Sequence, residues 1–142
     1  MATPNWKKAQ NKVQMALKRF EAERKDFWFK TFTDTYAARG EYVQSQPADA
    51  WVLYKGIFWL LEIKSCEQAR FPFKDVRPSQ WAGVRRAHAA GGKSVFVLAK
   101  PPKWDWYVIS GPELYNRKMS GDKSVSWEEL RLIKLEVENF IR

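Results

Sequence analysis

Apolar residues recur along the first forty positions with the spacing of a helix. The stripe consists of Trp6, Val13, Leu17, Phe20, Phe27, Phe32 and Tyr36. Residues three, four or seven apart lie on one face of an α-helix, so the pattern predicts one long helix or two over residues 5–38. Gly40 follows as a stop signal. We expect the stripe to pack against a core, with a dimer interface as the alternative.

The rest of the chain alternates between strand and helix patterns. Strands are predicted at 41–45, 49–54, 57–64, 94–99 and 106–110, and helices at 79–90 and from Ser126 onward. An irregular stretch precedes Pro78, Gly91-Gly92 ends the middle helix, and Ser126 begins a capping-box pattern. The order αβββαββα predicts a mixed β-sheet flanked by helices, in the α/β or α+β class.

The second and third predicted strands form a β-hairpin that turns at Lys55-Gly56. With a two-residue turn, opposed positions sum to 111, so Asp49 faces Glu62 and Lys64 lies on the same face. A three-residue turn would instead place Asp49 opposite Leu61. Directly opposed Cβ atoms are about 5 Å apart, where like charges repel. Unless one acid is protonated, we expect a cation between them.

The chain has 142 residues, which suits one domain spanning 1–142. No apolar run approaches the roughly 20 residues of a membrane span, so we expect a cytoplasmic protein without a membrane partner. Cys66 and His88 are the only residues of their types, which excludes a cysteine-rich zinc site and two-histidine metal motifs. Chemistry should therefore depend on carboxylates and lysine.

Positive charge is concentrated directly after the carboxylate pair. The chain has a formal net charge of +9, and nine basic residues against two acidic ones lie between Lys64 and Lys103. The candidates for phosphate contacts are Arg70, Lys74, Arg77, Arg85, Arg86 and Lys93. Charge of this density favours a polyanionic partner such as DNA. A solvated basic face without a ligand is the alternative.

Two carboxylates beside a lysine suit phosphodiester hydrolysis. Asp49, Glu62 and the backbone carbonyl of Ile63 offer the oxygen ligands that Mg²⁺ prefers. The ammonium group of Lys64 would orient the attacking water and offset charge in the transition state. The alternative is an ion pair of Lys64 with either acid at a sheet edge, which contributes little to stability.

The order of these residues resembles a known nuclease superfamily. The motif consists of an aspartate, Asp49, and, thirteen residues later, the tripeptide Glu62-Ile63-Lys64. It is similar to the metal-binding core of the PD-(D/E)XK nucleases. The segments that continue the match are 49–56 (DAWVLYKG), 62–65 (EIKS), 70–75 (RFPFKD), 79–80 (SQ) and 91–97 (GGKSVFV). In order and spacing they resemble the catalytic half of RecU-like Holliday junction resolvases, over roughly residues 49–114.

The resemblance implies a restriction-endonuclease-like fold, with a helical region over 1–40, a catalytic core over 41–114 and a C-terminal helix over 115–142. It implies that Asp49 and Glu62 bind Mg²⁺, with Mn²⁺ as a substitute, that Lys64 is catalytic, and that Gln80 lies near the site. It also implies a further acid on the first helix, for which Asp26 is preferred and Glu23 is next. That acid would decide between one metal ion and two.

The function implied by the resemblance is resolution of Holliday junctions by paired nicks, carried out by a homodimer on branched, four-way DNA. The segment at 45–48 is too short for the stalk that RecU-like enzymes insert into the junction. The alternatives are a nuclease of the same fold acting on flap, single-stranded or duplex DNA, and an inactive DNA-binding accessory of recombination.

Overall fold

The computed structural model describes residues 2–32 and 46–142 of the chain. Within these residues the elements are, in chain order, α1 (Asn5–Glu23), β1 (Phe27–Thr31), β2 (Ala50–Tyr54), β3 (Ile57–Ser65), β4 (Arg70–Pro72), α2 (Pro78–Ala89), β5 (Lys93–Lys100), β6 (Asp105–Ser110), α3 (Gly111–Met119), β7 (Ser124–Ser126), β8 (Arg131–Ile133) and α4 (Val137–Phe140). Short 3₁₀ turns at Phe73–Asp75 and Trp127–Glu129 follow β4 and β7.

A six-stranded sheet with the order β1-β2-β3-β5-β6-β8 forms the centre of the fold. Its strands pair antiparallel except for β3 and β5, which are parallel. One face packs against α1 and α4, and the other packs against α2 and α3. The predicted class, a mixed sheet flanked by helices, is confirmed.

The hairpin register predicted from the sequence is also confirmed. Ala50 pairs with Leu61 and Tyr54 pairs with Ile57, so opposed positions sum to 111. Lys55 and Gly56 both have positive φ, at 52° and 79°. Positive φ at both central residues is the geometry of a type I′ turn, whose twist matches that of the flanking strands. The two-residue turn thereby sets which side chains meet at the far end of the hairpin.

The helix predicted over 5–38 ends much earlier, at Glu23. Residues 27–31 form the edge strand β1, in which buried Phe27 and Phe29 alternate with exposed Trp28 and Lys30. The prediction missed this strand because Phe27 lies seven residues after Phe20 and therefore also fits the helical spacing. Tyr36, Gly40 and the strand predicted at 41–45 lie outside the described residues.

The C-terminal region also differs from the prediction. Ser126 ends strand β7 and makes no side-chain cap, and only a single 3₁₀ turn follows it, so no α-helix begins there. The longer α-helix of the C-terminal region is α3, which begins directly after β6, where the Ser110 hydroxyl accepts a hydrogen bond from the Glu113 N–H at 3.2 Å. A capping serine followed by proline was the sequence signal for that start. Trp127 and Leu130 are buried in the core through 3₁₀ and extended backbone instead.

The middle of the chain agrees closely with the sequence pattern. The helix predicted at 79–90 is α2, and the strands predicted at 94–99 and 106–110 are β5 and β6. The stretch before Pro78, predicted to be irregular, contains β4, which pairs with β7 in a separate two-stranded sheet. Among residues 2–32 and 46–142, no helix is long and apolar enough to cross a bilayer.

We predict that Gly83→Ala destabilises the protein, because α2 lies against the segment that leads into Asp49. A Cβ atom at Gly83 would lie 2.8 Å from the Pro47 carbonyl oxygen. The clash outweighs the better helix propensity of alanine, with a net loss of roughly 1 kcal/mol in the free energy of unfolding. Urea unfolding measures it, with Arg86→Ala, an exposed change on the same helix, as the control. Equal stability of Gly83→Ala and the wild type would contradict this packing.

Candidate functional site

Asp49, Glu62 and Lys64 lie together at the end of the hairpin away from its turn. The backbone of Asp49 is held from both sides, because its N–H donates to the Leu61 carbonyl at 3.0 Å and its carbonyl accepts from the Phe32 N–H at 2.9 Å. The bond from Phe32 continues the pairing of β1 with β2 by one position, whereas on the side of β3 both Asp49 and Ala50 lie against Leu61, which is a bulge directly before β2. The sheet itself, rather than a loop, therefore positions the first acid.

The Asp49 carboxylate accepts two hydrogen bonds. Its Oδ2 atom accepts from the Ile63 N–H at 2.7 Å, and its Oδ1 atom accepts from the Gln10 side-chain amide at 3.1 Å. Since the N–H and C=O of one residue in an extended strand point to the same edge, we expect the Ile63 carbonyl to face this side as well. Asp49 is thus tied both to β3 and to helix α1.

Glu62 is the most deeply buried acid of the site, with 4% of its surface exposed. Its Oε1 atom accepts from the Gln80 side-chain amide at 2.7 Å and lies 3.4 Å from the Lys64 ammonium nitrogen. Its Oε2 atom is buried and has no hydrogen-bond partner among the residues that the structure describes. A buried carboxylate oxygen without a donor is costly, so it calls for a proton or a cation.

Gln80 connects Glu62 to the start of α2. Its side-chain oxygen accepts from the Arg77 N–H at 2.8 Å, which leaves the amide nitrogen to donate to Glu62. Each end of the amide has one complementary partner, so the network defines the orientation of the side chain. Pro78 at the first position of the helix and buried Gln80 two residues later thereby fix the second acid.

Burial raises the pKa of both carboxyl groups. The pKa of Glu62 lies well above its usual value because of desolvation and the neighbouring charge of Asp49, while Lys64 opposes the rise. Desolvation also raises the pKa of Asp49, against the lowering effect of the bond from the Ile63 N–H. Two desolvated acids side by side resist double ionisation unless positive charge joins them.

The residues present fit a hard divalent cation. The free Oε2 atom of Glu62 and the Asp49 carboxylate offer oxygen ligands beside a backbone carbonyl, and the remaining positions suit water and phosphate oxygens. No group of three or more His, Cys, Asp or Glu side chains with metal-binding proximity occurs in the described parts of the chain. Carboxylate and carbonyl oxygens are the ligands that hard cations such as Mg²⁺ and Mn²⁺ prefer.

The structure does not bring Asp26 to this site. Its carboxylate pairs with the Arg24 guanidinium at 2.9 Å, and its carbonyl accepts from the N–H of Lys55 at the hairpin turn. The turn lies about 20 Å from Asp49, which is six residues along an extended strand. Glu23 ends α1 near the same turn. The α1 residue that contacts Asp49 is Gln10. The sequence did not predict this contact, because an isolated polar residue on an amphipathic helix looks like any other solvent-facing position.

The basic candidates fall into two groups. Arg77, directly before α2, is close enough to lower the pKa of Asp49. Lys74 is exposed on the turn before it, and Arg70 donates to the Ser124 hydroxyl at 2.8 Å. Arg85 and Arg86 are exposed further along α2.

Lys93 stands apart from these residues. It pairs with Trp59 in the sheet, nearer to the turn, and donates to the Arg142 carbonyl at 3.1 Å. The structure therefore places five of the six predicted basic residues on the segments before and along α2.

Comparisons with known proteins yield only distant structural likenesses. No protein-family model matches the chain, and a search of curated proteins gives no match. Among solved structures, Hjc from Archaeoglobus fulgidus, a Holliday junction resolvase from an archaeal hyperthermophile, has a TM-score of 0.45 with 14% identity. The match covers 70% of this chain and 73% of that one. A likeness this distant does not bear on function.

We predict that Glu62→Gln stabilises the protein in a chelating buffer at neutral pH. A raised carboxyl pKa in the folded state means that stability falls as pH rises above about 4.3, the pKa of an unfolded glutamate. The amide removes that loss, so the melting temperature should rise by a few degrees at pH 7 and by little at pH 4. Thermal melts at both pH values measure this, with exposed Glu128→Gln as the control. A stability gain that is the same at both pH values would contradict the raised pKa.

Proposed function

We propose that this chain is a Mg²⁺-dependent endonuclease that cleaves branched DNA, and that its activity is the resolution of Holliday junctions. The observation that supports it is the buried pair of Asp49 and Glu62, with the free Oε2 atom of Glu62 and the ammonium group of Lys64 beside it. Burying two acids and a lysine together has no evident structural benefit, because such charges are costly without a ligand.

In the proposed mechanism, Asp49, Glu62 and the Ile63 carbonyl would hold the cation. The chemistry that a bound Mg²⁺ would supply is polarisation of the scissile phosphate and stabilisation of the leaving oxygen. Lys64 orients the attacking water and offsets the charge that develops on the phosphate in the transition state. Gln80 is a positioning residue, since it holds Oε1 of Glu62 and leaves Oε2 available.

We infer that one metal ion is used, and that Mn²⁺ can replace Mg²⁺. The described residues contribute two carboxylates, and the α1 residue at the site is Gln10, whose amide donates to Asp49. An amide in that position adds no negative charge, so the site neutralises one divalent cation and has little capacity for a second.

The proposed substrate follows from the charge and from the resemblance of the sequence. A net charge of +9, with Lys74 and Arg77 exposed on the segment that leads to Gln80, suits contact with the DNA backbone. Paired nicks on a four-way junction would require two active sites, so we also propose that the chain acts as a homodimer. A second candidate is cleavage of single-stranded or flap DNA by the same site, which exposed aromatic rings on the same sheet face favour.

We predict that Asp49→Asn and Lys64→Ala abolish cleavage of a four-way junction. Losing a metal ligand or the ammonium group should lower the rate at least about a hundredfold, the usual effect of removing one transition-state contact. Gel assays with Mg²⁺ on four-way, flap, duplex and single-stranded DNA would measure the rate and the preferred substrate.

Binding of the same variants to the junction in chelator should persist, since the backbone contacts remain. Asp122→Asn, a charge-matched change in an exposed turn, should cleave at the wild-type rate. Wild-type rates for both site variants would remove the site assignment, and an inactive wild type would favour the accessory function.

We predict that the double variant Lys74→Ala with Arg77→Ala lowers the salt dependence of DNA binding. Each lost phosphate contact should reduce the slope of log K against log salt by about one. The charge-matched control is Lys18→Ala with Lys134→Ala, which removes exposed lysines on the α1 and α4 side of the sheet. Anisotropy titrations in chelator at several salt concentrations measure the slopes. Equal slopes for the two double variants would place the DNA path elsewhere.

A further inference from the structure

The sheet face that carries Glu62 continues toward the hairpin turn as an exposed apolar surface. Two rows of side chains cross β1, β2 and β3 there, because Trp28 pairs with Leu53 and Leu53 with Phe58, while Lys30 pairs with Trp51. We call Trp28, Trp51, Leu53 and Phe58 the aromatic face. Trp28 is 53% exposed and Phe58 is 40% exposed. Rings of this size are rarely left in solvent in a row without a ligand.

The rings of the aromatic face support one another. The Trp28 and Trp51 ring centroids are 4.9 Å apart with an interplanar angle of 87°, and the Trp51 and Phe58 centroids are 6.4 Å apart at 28°. Half-buried Trp51 thus holds the two more exposed rings on either side of it. Such mutual packing limits the rotamers of Trp28, so less side-chain entropy is lost when a ligand covers it.

Helix α2 covers the neighbouring part of the same face but not the aromatic face. Leu60 packs with Ala87 of α2 and with Ala48, next to Asp49. The exposed rings therefore lie beyond the part that α2 covers, on β1, β2 and the start of β3. Among the described strands, β1 is the edge of the sheet on that side.

The aromatic face leads directly to the carboxylate pair. Successive rows of side chains on one face are about 7 Å apart, which is two residues along a strand. The row of Lys30, Trp51 and Leu60 is therefore followed by the position of Glu62, whose carboxylate lies beside that of Asp49. A nucleic acid strand with its phosphate at the acids would place its next nucleotides over Trp51 and then over Trp28 and Phe58.

The charge near the aromatic face favours a nucleic acid over a second copy of this chain as its occupant. Lys30 lies in the row of Trp51, Lys25 precedes β1 and Lys55 forms the turn, and all three are exposed. A second copy of a chain with a net charge of +9 would bring these like charges together. A nucleic acid strand instead offers bases to the rings and phosphates to the lysines, the combination that binds single strands.

We propose that the aromatic face binds unpaired nucleotides of the DNA strand that enters the carboxylate site. The bases stack on Trp28 and Phe58, and Lys30 contacts the backbone between them and Asp49. This inference deepens the proposed nuclease function by naming the feature of the substrate that the site selects, which is a single-stranded segment beside the cleaved phosphate. Base stacking tolerates any sequence, so the selection is for unpaired structure.

Binding in a chelating buffer tests the proposal without depending on catalysis. Fluorescence anisotropy would compare a labelled oligothymidylate with a blunt duplex of equal length. Trp28→Ala and Phe58→Ala should each weaken binding of the single strand on the order of tenfold, with duplex binding unchanged. Trp28→Tyr should retain most of the affinity, because the smaller ring still stacks. The salt dependence should stay the same, since no charge is removed.

The matched control is Leu132→Ala on the opposite edge strand β8, where the leucine is 62% exposed. It should bind both DNAs as the wild type does, and circular dichroism should show that all variants fold. Unchanged single-strand affinity in both alanine variants, or equal losses on duplex and single strand, would overturn the proposal. So would sedimentation showing that Trp28→Ala converts a dimer to a monomer with single-strand binding intact.

The binding experiments test the aromatic face separately from the proposed nuclease activity. Loss of single-strand affinity in a wild-type background that cleaves no DNA would support the aromatic face and reject the endonuclease. Conversely, cleavage that depends on Asp49 and Lys64 with intact single-strand binding in Trp28→Ala and Phe58→Ala would support the endonuclease and reject the aromatic face.

Discussion

The burial of Asp49 against Glu62 is the interaction on which the rest of this site depends. Two carboxylates held side by side away from water repel each other, and desolvation raises both pKa values. The surrounding structure opposes this repulsion with donors from three elements: the Ile63 N–H of β3, Gln10 of α1 and Gln80 of α2. The pair therefore stores an unfavourable electrostatic energy that a divalent cation would relieve.

The same arrangement explains why the hairpin carries so much of the fold. A type I′ turn at Lys55-Gly56 sets the register, and a slip of one residue would move every side chain to the opposite face. On one face that register buries Val52 and Leu61 against α1. On the other it aligns Glu62 with the aromatic face, while the Asp49 carboxylate reaches Glu62 from the position directly before β2. The two faces of the hairpin share one register and cannot shift independently. Packing of one face against α1 therefore also fixes the positions of the side chains on the other face.

Function in this view spreads along one sheet face rather than into a pocket. The carboxylate pair lies where α2 begins, Lys74 and Arg77 lie on the segment before that helix, and exposed rings continue toward the turn. An extended polymer suits such a surface better than a small molecule does, since each segment of it meets a different kind of side chain. Acids, bases and rings would then contact successive parts of one DNA strand.

The sequence by itself determined the hairpin, its register and the meeting of Asp49, Glu62 and Lys64, because a two-residue turn and period-two alternation are local properties of the chain. It also predicted α2, β5 and β6, whose patterns are unambiguous. Only the tertiary structure decided that residues 27–31 form a strand, since Phe27 fits both periods and pairing with β2 made the choice. Tertiary packing likewise brought Gln10 to Asp49 and placed Asp26 at the other end of the hairpin, because contacts between distant segments depend on how helices pack on the sheet.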